Sequence, residues 1–215
     1  MSRYLLITIF TSHIQTVPCP DHTSPFLSEI PEIREAAIQN GKADLREQLE
    51  LRGRELAPGG YFIINCLLQC EKLKEVFNLR NEFNKSLVKE GFLKQEELEK
   101  LVTPMYPYSM EDWNEVLNSL AHVYRVEHLE VHERENPIYE RFLETGDEEK
   151  YADEMTGFVR AWFEVSFRNC LMREEGEKDR VVEEYFERHR EFLRHNRLQT
   201  ARSRILVVLE VIKTC

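Results

Sequence analysis

One stretch limits what this chain can fold into more than any other. Lys42–Leu56 places Leu45, Leu49 and Leu56 on one stripe with charges elsewhere, the pattern of an amphipathic helix. The stripe stops at Pro58-Gly59-Gly60, a helix terminator and turn. Tyr61–Leu68 (YFIINCLL) then runs apolar without a break. Such a run reads as a strand buried on both faces of a parallel sheet. Helix, stop and apolar strand make one αβ unit of a doubly wound sheet.

Three other segments fit strands. Tyr4–Phe10 is rich in Tyr, Ile, Thr and Phe and reads as a central strand. Val123–His132 interleaves β-branched and aromatic residues with charges, and Ile205–Ile212 (ILVVLEVI) closes the series. Pro18, Pro20, Pro25 and Pro31 exclude a continuous helix after the first strand. Between the second and third strands the pattern is helical, over Glu71–Lys89, Gln95–Leu101 and Glu111–Leu120. Gly91 and the Pro/Tyr loop Thr103–Ser109 separate these helices. Tyr151–Leu171 is an aromatic-rich amphipathic helix, a charged turn surrounds Gly176, and Arg180–His195 is helical again. The expected fold is α/β: core strands over 1–70, a helical cap insertion over 71–121, and the remaining strands with aromatic-rich helices over 122–215.

Composition removes several function classes. A net charge of −10 repels phosphate backbones, which argues against a nucleic-acid partner. Tyr4–Phe10 is too short to span a bilayer, and only Arg3 precedes it as a charged flank, so no membrane anchor is expected and the default compartment is the cytosol. Five scattered cysteines make a poor disulfide framework. Cys66 and Cys70 lack a second pair for a metal and read as small buried hydrophobes.

Motifs for nucleotide or metal chemistry are missing. No two of the eight glycines are separated by a single residue, so the sequence holds no G-x-G phosphate loop. His128 and His132 share one face of a strand with Glu130, but Cβ atoms four apart on a strand sit roughly 13 Å from each other, too far to share an ion. A solvated sheet face is the simpler reading, and no metal is expected. His189 and His195 belong to a charged helix and are expected at its surface. Cys19 and His22 would form a nucleophilic dyad only if a Pro-rich loop brought them together.

Five segments in order carry more weight together. They are Val17-Pro18-Cys19-Pro20; Arg52-Gly53-Arg54-Glu55-Leu56-Ala57-Pro58-Gly59-Gly60; Lys89-Glu90-Gly91-Phe92; Pro104-Met105-Tyr106-Pro107-Tyr108-Ser109; and Arg160-Ala161-Trp162-Phe163-Glu164. The series resembles the SABATH family of S-adenosylmethionine-dependent carboxyl methyltransferases, the salicylate, jasmonate and caffeine-pathway type. Its R-A-x-E-L-x-P-G-G helix end, E-G-L/I helix end, P-x-Y-x-P-S loop and R-A-V-x-E-P helix all have counterparts. The resemblance implies a partial Rossmann-like methyltransferase sheet with a helical cap, Tyr4–Phe10 corresponding to its fourth strand. It implies S-adenosylmethionine as cofactor and a small-molecule carboxylate as acceptor.

Carried over by position, His13 stands where the family has a carboxylate-holding Trp. Tyr106 matches a loop tyrosine near the acceptor, and Trp162 and Phe163 match a pocket-lining helix. Thr8 and Ile9 fall near a Ser-Ser pair that lines the cofactor site. Each residue also fits a plainer role: His13 a turn cap, Tyr106 an anchor for the cap, Trp162 and Phe163 core, and Thr8 an ordinary strand residue. No catalytic side chain is assigned. In-line methyl transfer to a carboxylate relies on proximity and exclusion of water, and the acceptor is already ionised near neutral pH. The resemblance covers only the later part of the family's sequence, without its glycine-rich cofactor loop. The expectation is therefore a truncated enzyme, or else an inactive remnant that binds small molecules or dimerises through an unprotected edge at Tyr4–Phe10.

Overall fold

A computed structural model describes residues 4–7, 19–103, 105–196 and 202–212. Four strands form one sheet in the order β1-β2-β4-β3, with β1 at Tyr4–Ile7, β2 at Tyr61–Leu67, β3 at Tyr124–Arg134 and β4 at Arg202–Val211. β1 runs parallel to β2 with Tyr4 opposite Tyr61. β4 lies antiparallel to both β2 and β3, and a bulge between Val126 and His128 shifts the β3 register. Seven α-helices accompany these strands among the described residues: α1 Pro31–Glu55, α2 Glu71–Lys89, α3 Gln95–Lys100, α4 Met110–Ser119, α5 Pro137–Thr145, α6 Glu148–Cys170 and α7 Glu175–His195.

The Pro58-Gly59-Gly60 stop sets the sheet register. Gly59 takes φ +77, a conformation only glycine adopts cheaply. Its N–H then donates to the Val211 carbonyl at 2.7 Å, while Val211 N–H donates to Gly60 O at 2.9 Å. β2 pairs with β4 from its first residue as a result, Tyr61 opposite Glu210. The β2 side chains alternate: Phe62, Ile64 and Cys66 are buried, whereas Tyr61, Ile63, Asn65 and Leu67 are half-buried. The reading of this run as buried on both faces is corrected accordingly. β2 sits between a parallel and an antiparallel neighbour, and only one of its faces is fully covered.

That face is the first core. Phe62, Ile64 and Cys66 of β2 and Ile205, Val207 and Leu209 of β4 pack with Leu45 and Leu49 of α1 and Trp113 and Val116 of α4. A second core is helical: Phe83 and Leu87 of α2, Phe163 and Phe167 of α6, and Val182, Tyr185 and Phe186 of α7. Buried Glu97 secures its margin by accepting from Arg173 Nε at 3.1 Å and from the Lys94 and Met172 backbone N–H groups, each at 3.0 Å. Burial raises the carboxyl's pKa, yet Arg173 and these donors outweigh it and the net shift is downward.

Three element assignments differ from the sequence reading. α1 begins at Pro31, well before Lys42, because a proline at the first helical position keeps its fixed φ and loses no bond. α5 was not expected, and none of its residues is fully buried, so the core left no periodic trace there. Gly176 lies inside the first turn of α7 rather than in a turn, and its added Cβ would meet nothing. Among the described residues, no helix is long and apolar enough to cross a membrane.

Glycine packing gives a paired test. A Cβ on Gly41 of α1 would lie 2.3 Å from Tyr106 Cδ1, whereas one on Gly157, exposed in α6, meets nothing within 4 Å. Gly41→Ala should destabilise the protein by about 1–3 kcal/mol through overpacking. Gly157→Ala should stabilise it by about 0.5–1 kcal/mol through helix propensity. Urea midpoints of the two variants check both signs.

Candidate acceptor-side site

The two cores meet at α2. Phe77 of this helix belongs to the first core, and Phe83 belongs to the second. Between them Arg80 is only 7% exposed. Its guanidinium carbon lies 4.9 Å from the Phe77 ring centroid, 4.9 Å from that of Trp162 and 5.0 Å from that of Phe163. Arg80 Nη2 donates to Thr103 Oγ1 at 2.8 Å, while Nε is buried without a partner. Burial pushes the guanidinium pKa down to about 10. Sequence reading missed Arg80. The available signal was its place on the buried stripe Phe77, Arg80, Asn84 and Leu87, where two polar residues occupy core spacing.

The loop before α1 is laid over α2 by polar contacts. Thr23 N–H donates to Asn81 Oδ1 at 3.0 Å, and Asn81 Nδ2 donates to Asp21 O at 3.2 Å. His22 Nδ1 accepts from Ser24 N–H at 2.9 Å, which leaves the proton on Nε2 to donate to Asn78 Oδ1 at 3.0 Å. Thr103 N–H donates to Thr23 O at 2.7 Å and joins this loop to the one that bears Tyr106. Cys19 donates to Asp21 Oδ1 at 3.2 Å, and burial raises its pKa, so it is a capped thiol rather than a nucleophile paired with His22.

Tyr106 is buried, and its hydroxyl donates to Asp112 Oδ2 at 2.9 Å. The same carboxylate accepts from Ser109 N–H at 2.8 Å, while Ser109 Oγ accepts from Asp112 N–H at 3.1 Å. This capping box starts α4 and holds the Tyr106 ring between Gly41 and Phe26. Phe26 stands edge-on to Phe77, with ring centroids 5.6 Å apart. An aromatic chain therefore runs from Tyr106 through Phe26 and Phe77 to Arg80, Trp162 and Phe163. Three of the site residues expected from sequence reach this junction: Tyr106 at one end, and half-buried Trp162 and fully buried Phe163 at the other. Thr8, Ile9 and His13 lie outside the described residues.

His189 departs from expectation. It is 4% exposed, its ring centroid 5.5 Å from that of Phe83, with Nδ1 3.4 Å from Thr156 Oγ1. It repeats the Val182–Tyr185–His189–Leu193 stripe of α7, which the surrounding charges obscured. His195 is exposed, as expected. On β3, Glu130 lies between exposed His128 and half-buried His132, 3.0 Å from His128 Nε2 and 3.3 Å from His132 Nδ1. Among the described residues, no cluster of His, Cys, Asp and Glu could hold a metal ion. Cys66 and Cys70 are free, and burial pushes the Cys66 thiol up to about 12.

The mixed sheet with helices packed against it defines the class: an α/β fold. The structure matches loganic acid methyltransferase with SAH at TM-score 0.71 and 16% identity, covering 98% of this chain and 62% of that one. The chain thus spans less than two thirds of that relative's length. Haemonchus contortus phospholethanolamine N-methyltransferase 2 aligns at TM-score 0.28 and 14% identity, over 82% of this chain and 32% of that one. Comparison with curated protein sequences gives no match. The sequence model of the SAM-dependent carboxyl methyltransferase family matches residues 26–214, and the chain belongs to that family.

His189 makes stability depend on pH. Burial, followed by the Arg80 charge, pushes its pKa down to about 3. An unfolded imidazole titrates near about 6.5. Below that pH the unfolded chain binds a proton that the folded chain refuses. The stabilisation is complete above about pH 6.5 and falls by up to about 1.4 kcal/mol per pH unit on acidification towards the folded value. His189→Asn should flatten the decline between pH 7 and 5, as read from urea unfolding across that range.

Proposed function

We propose that this chain supplies the acceptor-side half of an S-adenosylmethionine-dependent methyltransferase whose acceptor is a small-molecule carboxylate. One observation carries the reading: Tyr106, Trp162 and Phe163, which family resemblance assigns to the acceptor, lie along one aromatic chain at the seam of the two cores. In this reading residues 71–121 form the cap, residues 1–70 begin the core, residues 122–215 add its remaining strands with aromatic-rich helices, and His13 is the residue that family resemblance assigns to the acceptor's carboxylate. The cofactor, when bound, supplies the methyl group. The sequence holds no G-x-G loop, and family resemblance assigns Thr8 and Ile9 to the cofactor's side.

The chain's own part is to bind and orient. Aromatic walls exclude water from the acceptor, and a desolvated carboxylate is a better nucleophile towards a sulfonium methyl. Tyr106 is committed to Asp112, and burial, then that carboxylate, pushes its pKa up. It therefore acts as a rigid wall rather than as a base.

A second reading, pairing of two copies through β1, draws on the position of β1 at one margin of the described sheet. Methyl transfer separates the two. The protein is incubated with S-adenosylmethionine carrying an isotope-labelled methyl group and a panel of aromatic and aliphatic carboxylates. The expected product is a labelled methyl ester, with none from the matching amides. Absence of both ester and carboxylate binding, together with a dimer in sedimentation, would overturn the enzyme reading in favour of pairing.

A further inference from the structure

Arg80 is a buried cation with no anion beside it among the described residues. Its one hydrogen-bond partner among the described residues is the neutral Thr103 hydroxyl, and its Nε–H has none. Arg173, beside the same second core, is by contrast matched to the buried carboxylate of Glu97. A charge removed from water without a counter-charge is strongly unfavourable. Three aromatic faces offset part of that cost through cation–π attraction, but they leave the in-plane Nε–H without a partner.

Two further orphaned groups lie on the elements tied to Arg80 and Thr103. Asn84, one turn further along α2, keeps a buried Nδ2 without a partner while its Oδ1 accepts from Tyr185 at 2.9 Å. Thr23 Oγ1 is buried and unpartnered on the loop tied to Thr103. Native interiors satisfy nearly all such groups, so these orphans together with one unpaired charge point to a ligand. The ligand chemistry follows from the walls. A dianion would be too costly among Phe77, Trp162 and Phe163. A planar monoanion matches the guanidinium plane, and a flat apolar body matches the rings.

We propose that Arg80 binds the carboxylate of the acceptor, with Trp162 and Phe163 against its body. This rests on the acceptor-side reading above and adds a residue that none of the shared motifs contains. Half-buried Trp162 is the approachable side of the site.

The test compares benzoate with benzamide, which has the same shape and no charge, by calorimetry on the full chain. Wild type should bind benzoate at least tenfold more tightly, and Arg80→Met should erase the preference. Arg80→Lys keeps the charge but loses the fork, and should retain only part of it. A second readout needs no variant to fold: benzoate, unlike benzamide, should shift the Arg80 Nε–H resonance in wild type. Equal binding of the two probes, or a preference that survives in Arg80→Met, would overturn the proposal. If labelled ester still forms in that case, the family reading stands and the carboxylate is held elsewhere. If no ester forms while the Arg80-dependent preference is present, the anion site is real and the transfer reading fails.

Discussion

Helix α2 has to satisfy two hydrophobic cores at once, and the rest of the structure is arranged around that demand. Its first half presents Leu73 and Phe77 to the core on the sheet, and its second half presents Phe83 and Leu87 to the helical core. A straight helix cannot pass between two cores without placing some positions at the seam. Here those positions are polar: Asn78, Arg80, Asn81 and Asn84. The loop over 19–28 and the loop after α3 come close enough to bond Asn78, Arg80 and Asn81, while Asn84 accepts from Tyr185 of α7. Proline-rich connections suit that task, because they present unpaired carbonyls and hydroxyls where helices would not.

The strands were largely legible because their signal is local. Continuous apolar residues between glycine or proline stops locate β2 and β4 within a residue or three. α2 was also legible to the residue, since its apolar stripe begins and ends at clear breaks. α1 and α5 were less so for a physical reason. Between Pro31 and Lys42 only Ala37 and Gly41 of α1 are buried, and Gly41 is a residue that sequence rules place against helix interiors. It is tolerated because a side chain there would collide with the Tyr106 ring, a contact 65 positions away in sequence that no window can see.

The motifs that relate this chain to its family mainly encode backbone geometry. Gly59 and Gly91 supply positive φ, and Ser109 with Asp112 caps α4. Arg160 of the last motif donates to Glu164 at 2.6 Å and to Glu183 of α7 at 2.8 Å, so it braces two helices at the surface. Such positions report the fold faithfully and say little about the acceptor. Two of the motifs also deliver rings to the aromatic chain, Tyr106 from one and both Trp162 and Phe163 from the other. Arg80 and His189 lie outside every motif, so the features with the most unusual electrostatics were the ones resemblance could not supply.

Those two residues also constrain each other. Both are buried in the helical core, and the Arg80 charge adds to the burial that keeps His189 neutral. A protonated His189 would set two cations in one dry region, which the low local dielectric forbids. An anion bound at Arg80 would relax that restriction by screening the charge that His189 feels. Ligand occupancy and imidazole titration are thus linked thermodynamically: a carboxylate that binds Arg80 must raise the His189 pKa, and protonation of His189 must in turn strengthen the carboxylate. The coupling needs no conformational change. It follows from placing one permanent charge and one titratable ring in the same core, with aromatic walls that exclude the water which would otherwise separate them.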